Sequence, residues 1–285
     1  MKTILVPTDF SANALKALRF ALQLSQHSAT KLVVMHQTSI LELAPDSAFT
    51  GLYVPAPADQ MAYAQKSLNS FVKKAVSSFK GKFDESKISS EIVPGVGTVD
   101  VILDTCKRVK ADAIVLGTTG ASGLKRLFIG SVAAKVVELS KVPVIVIPEN
   151  FRLKKINKIG YASDLEHVER DLQQIAPMAK QLGASIEIFH VEPTFPTSEA
   201  FLKFKEEKEI PALRKSLKMP DIAYRLVKTR YDNDFYTGVD AYRRNRKPDM
   251  LCVITHKRSW LGKLIDPSKS KGLAYHTRIP VITIK

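Results

Sequence analysis

The sequence is poor in cysteine, with only Cys106 and Cys252 among 285 residues, and it contains no CxxC pair. Disulfide scaffolds and thiolate zinc sites need several cysteines at close spacing, so both classes are excluded. The six histidines form no HExxH or similar motif, and no metal-site hypothesis follows from them. We therefore expect both cysteines to be small buried residues.

Long hydrophobic runs are absent as well. No apolar stretch approaches the roughly 18 residues that a membrane-spanning helix needs. The apolar start of the chain reaches Asp9 too soon for a signal peptide. These absences predict a cytoplasmic protein with no membrane partner.

Positive charge is in excess, with a formal net charge of +15. Such an excess raises the question of nucleic acid or anionic lipid. However, both halves of the chain are mixed in sign, and no aromatic residues are interleaved with the basic ones as in RNA-binding surfaces. The compact basic clusters, Lys154–Lys155 and Arg243–Lys247, are typical of a solvated linker and a helix end. Nucleic acid is therefore not the partner we expect.

A glycine-rich segment stands between a predicted strand and a predicted helix. Gly117, Gly120, Gly130 and Ser131 follow the apolar run 113–116 and precede a helical pattern. Glycines allow backbone N–H groups to approach an anion, and a helix N-terminus carries unpaired N–H donors, so a phosphate site is predicted. No Gly-Lys-Ser/Thr closes the segment, which argues against the common ATPase loop. The alternative is that the glycines only shape a turn and Ser131 only caps its helix.

The second half of the chain repeats the order of elements of the first. A short strand ends at Asp9 in one half and at Asp164 in the other, and a second strand ends at His36 and at His190. Further on, Lys110–Val144 matches Lys247–Val281 without a gap. We predict two domains, 1–148 and 156–285, joined by a polar linker.

Each half alternates short apolar strands with amphipathic helices. Strands rich in Val, Ile and Leu without polar alternation are typical of a parallel sheet covered by helices on both faces. Leu15, Leu18 and Leu22 follow Ser11 at helical spacing, which predicts a helix with a serine cap. In the first half we predict strands near 2–7, 31–36, 89–93, 113–117 and 143–147, and helices near 12–26, 60–79, 98–109 and 131–140.

Ligands of open parallel α/β sheets bind at the carboxyl ends of the strands, where the winding direction reverses. Both Asp9 and Gly117 follow a predicted strand directly, so one site can use both. Asp9 can accept hydrogen bonds from a base or a ribose, or hold a cation beside phosphate. It can equally help Ser11 to cap the next helix.

These residues together resemble the universal stress protein family, in a tandem form with two domains in one chain. The resemblance lies in Ile4–Ser11, in the strand end at Val34–His36, and in the spacing Gly117-x2-Gly120-x9-Gly130-Ser131. It implies an α/β fold with two doubly wound, open, parallel, five-stranded, Rossmann-like sheets in strand order 3-2-1-4-5. It also implies binding of ATP or AMP, with Mg²⁺ beside the phosphates, and a role in the stress response.

The resemblance also implies a set of nucleotide-binding residues in the first half. Gln37 departs from the family pattern, in which a small apolar residue is usual at this position. The residues expected to bind the base and ribose are Pro7, Thr8, Asp9, Gln37 and Leu116, and those expected to hold the phosphates are Gly117, Gly120, Gly130, Ser131 and Val132.

The second half departs from the motif, because Ile254, Lys257 and Pro267 stand where the first half has its three glycines. Proline has no N–H to donate, and side chains block close approach of the backbone. We expect one nucleotide site per chain, with the second domain as a structural partner. The resemblance implies that Val144–Ile147 and Val281–Ile284 pair as an internal pseudo-dimer, and it leaves a homodimer of two chains open.

Our leading hypothesis for function is a stress or signalling protein in which nucleotide occupancy shifts a conformational equilibrium. A slow ATPase or a self-phosphorylating protein, with Ser131 or Thr118 as acceptor, is the first alternative. Neither an arginine finger nor a positioned general base is recognisable, so the sequence favours binding over turnover. The second alternative is a scaffold that binds no nucleotide and meets acidic partners with its basic surface.

Overall fold

The computed structural model describes residues 1–26, 28–39, 57–79, 83–118, 130–193, 209–229, 235–254 and 278–284. The chain divides into two units, and the division between their described residues falls between Glu149 and Asn150. Each unit alternates strands and helices along the chain.

The first unit contains five strands and four α-helices within its described residues. Their bounds agree to within a few residues with those predicted from the apolar periodicity. The elements are β1 (Thr3–Pro7), α1 (Ala12–Ser25), β2 (Lys31–Thr38), α2 (Pro57–Ser77), β3 (Ile88–Pro94), α3 (Thr98–Arg108), β4 (Ala113–Gly117), α4 (Ser131–Leu139) and β5 (Val144–Ile147).

The second unit repeats this order, as the internal repeat predicts. Its described elements are β6 (Lys158–Ala162), α5 (Val168–Leu182), β7 (Ser185–Pro193), α6 (209–216), β8 (Ile222–Thr229), α7 (Phe235–Arg246), β9 (Met250–Ile254) and β10 (Val281–Ile284).

The five strands of each unit form a parallel sheet. In the first unit the order is β3-β2-β1-β4-β5, and in the second it is β8-β7-β6-β9-β10. Each order is the predicted 3-2-1-4-5 arrangement, which confirms the predicted fold class. In both units the chain therefore builds the sheet outward from the first strand, first on one side and then on the other. Such sheets bind ligands at the carboxyl end of the strands where this reversal occurs.

The strands at the centre of the sheets are buried on both faces. Ile4, Leu5 and Val6 of β1 have no exposed surface, as expected for a strand covered by helices on both sides. Both cysteines are free and buried, as predicted. Burial raises the pKa of the Cys252 thiol well above its usual value, so this residue is an inert part of the core.

Helix α1 begins as its sequence predicts. The Ser11 side chain accepts a hydrogen bond from the N–H of Ala14 at 3.1 Å and so caps the helix. The leucines at positions 15, 18 and 22 are buried against the sheet. This helix fixes the position of the chain directly after β1.

The second unit contains a buried charged cluster that the sequence did not predict. Glu187 on β7 is 4% exposed. Its carboxylate accepts hydrogen bonds from the Tyr242 hydroxyl at 2.8 Å and from Nη2 of Arg246 at 2.7 Å. Burial alone would raise the pKa of Glu187, but the hydrogen bonds from Arg246 and Tyr242 outweigh burial and hold this pKa below its usual value.

We predict that Tyr242→Phe lowers the free energy of unfolding by about 1–3 kcal/mol at neutral pH, because Glu187 is left short of a donor. A carboxyl whose pKa is lower in the folded chain stabilises the fold above its unfolded pKa, and this contribution is lost as the pH falls through the folded pKa. The loss in the variant should therefore shrink on acidification.

Denaturant unfolding across a pH series measures this effect. Tyr63→Phe, which removes a hydroxyl from a residue that is 75% exposed, is the matched control and should change stability little. Equal stability of Tyr242→Phe and the wild type at neutral pH would contradict the prediction.

Candidate functional site

A cleft of about 410 Å³ lies at the carboxyl ends of the central strands of the first unit. Its volume is within the range of roughly 300–1,000 Å³ that is typical of small-molecule sites. Nine of the ten residues that we predicted to bind nucleotide line it, and the tenth, Gly120, lies outside the described residues. The nine are Pro7, Thr8, Asp9, Gln37, Leu116, Gly117, Gly130, Ser131 and Val132.

The loop after β1 forms one wall of the cleft through a tight, hydrogen-bonded turn. Asp9 is exposed, and its Oδ1 accepts the N–H of Ser11 at 3.1 Å. The hydroxyl of Thr8 accepts the N–H of Phe10 at 3.0 Å. Phe10 has a φ of 63°, a left-handed conformation that costs a non-glycine residue about 1–3 kcal/mol. Asp9 thus supports the start of α1, and it also lines the cleft.

His36, at the end of β2, ties this loop to the sheet. Its Nδ1 lies 2.8 Å from the carbonyl oxygen of Thr8. The ring of Phe10 packs on the His36 ring with a centroid distance of 4.2 Å and lies edge-on to Phe71. The strained loop is therefore held by three aromatic rings and a hydrogen bond. The sequence singled out His36 only as the end of a strand.

Gly117 is required for close packing, and this differs from the predicted reason. A Cβ atom at Gly117 would lie 2.7 Å from Nδ2 and 2.8 Å from Cγ of Asn13 on α1. Asn13 is buried, and its Nδ2 donates to the hydroxyl of Thr118 at 3.2 Å. Gly117 thus lets the end of β4 approach α1. The Thr118 hydroxyl, one of the suggested phosphate acceptors, is buried and engaged in this contact.

Helix α4 begins at the cleft, and here the structure corrects two expectations. The N-cap residue is Gly130 and not Ser131, which is the first helical residue and is exposed. The N–H of Gly130 donates to the carbonyl of Thr118 at 2.5 Å, so it is not available to a phosphate in this conformation. Gly130 has an ordinary φ of −60°, and a Cβ here would lie 3.2 Å from the same carbonyl.

The first turn of α4 carries backbone donors that have no partner among the described residues. Glycine has no side chain to cap the helix, and no capping hydrogen bond is present. The first hydrogen bond of the helix runs from Ala134 N–H to the Gly130 carbonyl, so the N–H groups of Ser131 and Val132 precede it. No hydrogen bond of these two groups is recorded in the part of the chain that the structure describes. They lie at the positive end of the helix dipole and line the cleft.

Gln37 at the end of β2 closes another side of the cleft through its side chain. Its Nε2 donates to the Gly95 carbonyl at 2.7 Å, and its Oε1 accepts from the Thr98 hydroxyl at 3.0 Å. The departure from the family pattern at this position therefore has a structural role: Gln37 ties β2 to the loop before α3.

Several cleft residues were not among the predicted ones. Thr98 and Ile102 come from the first turns of α3, which follows the turn Gly95–Gly97. The glycine pair before a helical pattern was the signal that could have identified them. The other unpredicted lining residues are Ala14, Met35, His36, Thr118 and Ala133.

The second unit repeats the loop after its first strand. Leu165 has a φ of 68°, like Phe10, and its N–H donates to the Ser163 hydroxyl at 3.0 Å. Nδ1 of His190 lies 2.7 Å from the Ser163 carbonyl, as His36 does from Thr8. The two units therefore share the conformation of the loop after their first strand and its contact with a histidine of the second strand. Lys257 and Pro267, on which the expected loss of the phosphate loop rests together with Ile254, lie outside the described residues.

No group of three or more His, Cys, Asp or Glu side chains with the geometry of a metal site occurs among the described residues. Within the same ranges, every helix falls short of the length and apolarity that a membrane span requires.

Comparison with known proteins identifies the family. The model of the universal stress protein family matches residues 1–148 and again residues 156–285. The chain belongs to this family. Both matches together cover nearly the whole chain, and the tandem arrangement predicted from the internal repeat is confirmed.

Individual relatives support the assignment. A universal stress protein of Methanocaldococcus jannaschii is 28% identical over 51% of this chain and 81% of its own length. The protein YxiE of Bacillus subtilis, also a universal stress protein, is 30% identical over 50% of this chain and 97% of its own. A universal stress protein crystal structure from Archaeoglobus fulgidus covers 99% of this chain and 96% of its own, with a TM-score of 0.69 at 20% identity, and so supports the fold.

We predict that Gly117→Ala lowers the free energy of unfolding by about 1–3 kcal/mol, because the new methyl group overlaps Asn13. In an Asn13→Ala background this loss should become smaller, since the two closest overlapping atoms are gone and only the Asn13 backbone carbon, at 3.2 Å, remains close. A double-mutant cycle by denaturant unfolding measures the coupling. An equal cost of Gly117→Ala in both backgrounds would show that the contact is not the reason for the glycine.

Proposed function

We propose that this universal stress protein binds an adenine nucleotide, ATP or AMP, in the cleft of its first unit and acts in stress response or signalling through the bound state. The observation that carries the proposal is the N-terminus of α4, where Ser131 and Val132 line the cleft and their amides have no hydrogen bond to the described residues. Such a helix terminus attracts phosphate because its N–H donors and its dipole both favour negative charge.

The rest of the cleft suits the other parts of a nucleotide. Met35, Ile102 and Leu116 give it an apolar side on which a purine ring can pack. In this proposal the exposed Asp9 carboxylate faces the ribose hydroxyls, or a Mg²⁺ ion that accompanies the phosphates. The Gln37 tie to Gly95 holds the purine side of the cleft in place.

The mode of action in this proposal is a shift in conformational populations. A ligand that bridges α4 and the loop after β1 stabilises the conformation in which both elements lie at the cleft. Binding can change function only as far as the nucleotide prefers that conformation over others. The second unit then serves as a structural partner, and pairing through β5 and β10 is part of the proposal.

Ser131→Pro is the sharpest test. Proline is tolerated at the first position of a helix, and Gly130 has φ −60° and ψ 154°, which are suitable values before proline. The substitution therefore removes one N–H donor while α4 is kept. We expect the dissociation constants of ATP and AMP to rise about 10- to 100-fold, the effect of losing a hydrogen bond to a charged group.

Isothermal titration with protein freed of bound nucleotide measures these constants. Ser131→Ala is the matched control, because it removes the hydroxyl and keeps the N–H, and it should bind nearly as the wild type does. Absence of binding by the wild-type chain, or equal affinities of Ser131→Pro and Ser131→Ala, would contradict the proposal.

A further inference from the structure

A second cleft, of about 290 Å³, lies in the second unit at the amino-terminal ends of the strands. It is formed where β6, β7 and β8 begin and where α7 ends. The charged residues that line it are Lys158, Glu187, Arg214, Asp221 and Arg246. These residues belong to the second unit alone, so the cleft is separate from the site described above.

Glu187 forms the buried floor of this cleft and is already saturated. Nη2 of Arg246 donates to its Oε1 at 2.7 Å, and the Tyr242 hydroxyl donates to its Oε2 at 2.8 Å. The negative charge of Glu187 is thus neutralised within the protein. A cation gains little from a carboxylate whose oxygens are occupied by such donors.

Two further cations of the cleft contact carbonyl oxygens and no carboxylate among the described residues, although the charge of Lys158 helps to lower the pKa of Glu187. Nε of Arg214 donates to the Ile222 carbonyl at 2.9 Å, and Nζ of Lys158 lies 3.3 Å from the Arg246 carbonyl. For neither residue is an ion pair recorded in the described ranges. Arg214 keeps the terminal nitrogens of its guanidinium, the fork that recognises phosphate. These two cations outweigh Asp221, the remaining acid of the lining.

The charged network is also particular to the second unit. Glu187 corresponds in the repeat to Val33, and Arg246 corresponds to Val109. Val33 is a buried residue of β2, so the same sheet forms in the first unit without any charge at this position. The fold therefore does not require the charged network, and its presence in the second unit calls for an explanation in the cleft itself. Binding of an anion above the network would provide that explanation.

We propose that the cleft lined by Lys158, Arg214 and Arg246 binds a small phosphate-bearing anion. Its volume lies at the lower limit of small-molecule sites, which fits inorganic phosphate, pyrophosphate or a single phosphate group better than a whole nucleotide. The phosphate can come from a free anion or from a group on a larger molecule. The proposal does not depend on nucleotide binding in the first unit.

Titration of the ¹⁵N-labelled full chain with inorganic pyrophosphate, followed by amide chemical shifts, tests the proposal. We expect saturable shifts at the amides of Lys158, Glu187 and Ile222. A parallel titration with AMP separates the two phosphate sources: shifts at these amides with pyrophosphate alone indicate a free anion, and shifts with both indicate a general phosphate site. Shifts with neither probe, or only at residues 131–133, would overturn the proposal.

Substitutions of the two cations test whether their side chains bind the anion. Arg214→Gln and Lys158→Gln should each weaken pyrophosphate binding about tenfold or more, and added salt should weaken it in the wild type. Lys107→Gln, which removes an equal charge from an exposed ion pair of the first unit, is the control and should have no effect. The Lys158 ammonium donates one hydrogen bond, at 3.3 Å, so we expect its replacement to leave the fold intact, as the amide spectrum verifies. Unchanged affinity in both cleft variants would overturn the proposal.

Discussion

The arrangement of strands around β1 is the constraint on which the first site depends. β1 pairs with β2 on one side and with β4 on the other, all in parallel. The chain leaves these strands at the same edge of the sheet, and the connections then diverge to opposite faces, which opens a cleft between them. The loop after β1 and the start of α4 face this cleft because of the strand order, whatever their side chains are.

Side chains then decide what the cleft can hold. The loop after β1 keeps a left-handed residue, Phe10, whose strain is offset by packing on His36 and Phe71. At the opposite wall Gly130 is the N-cap of α4, so the N-cap residue itself offers no side chain to the first N–H groups of that helix. An anion is the natural partner for donors left in this way. The cleft therefore combines a wall held by aromatic packing with a wall at the positive end of a helix dipole.

The elements, their parallel arrangement and the place of the cleft followed from local patterns in the sequence, whereas the strand order followed from the resemblance to the family. Apolar runs, helical spacing and the internal repeat are each visible within a few tens of residues. Gly117 and Gly130 line the cleft, but the sequence did not reveal the contacts that each of them makes. These are the contacts with Asn13 and with the Thr118 carbonyl, and contacts between residues distant in sequence leave no periodic signal.

The charged cluster of the second unit was missed for a related reason. Glu187 stands in an apolar strand, and Tyr242 and Arg246 lie far from it in the sequence on α7, where Arg246 was interpreted as part of a solvated helix end. Only the fold brings the arginine against the buried carboxylate at 2.7 Å. The first unit thus presents a helix N-terminus at its cleft, and the second unit presents a buried, hydrogen-bonded carboxylate beside the cations of its cleft.

A crystal structure of the chain with AMP tests the central claim most directly. The account predicts a phosphate oxygen within about 3 Å of the backbone nitrogens of Ser131 and Val132, the distance of a charge-assisted hydrogen bond. The purine should then lie on the side of Met35 and Leu116. A nucleotide bound away from α4, or these two amides donating to carbonyl groups of the chain while AMP is present, would contradict the account.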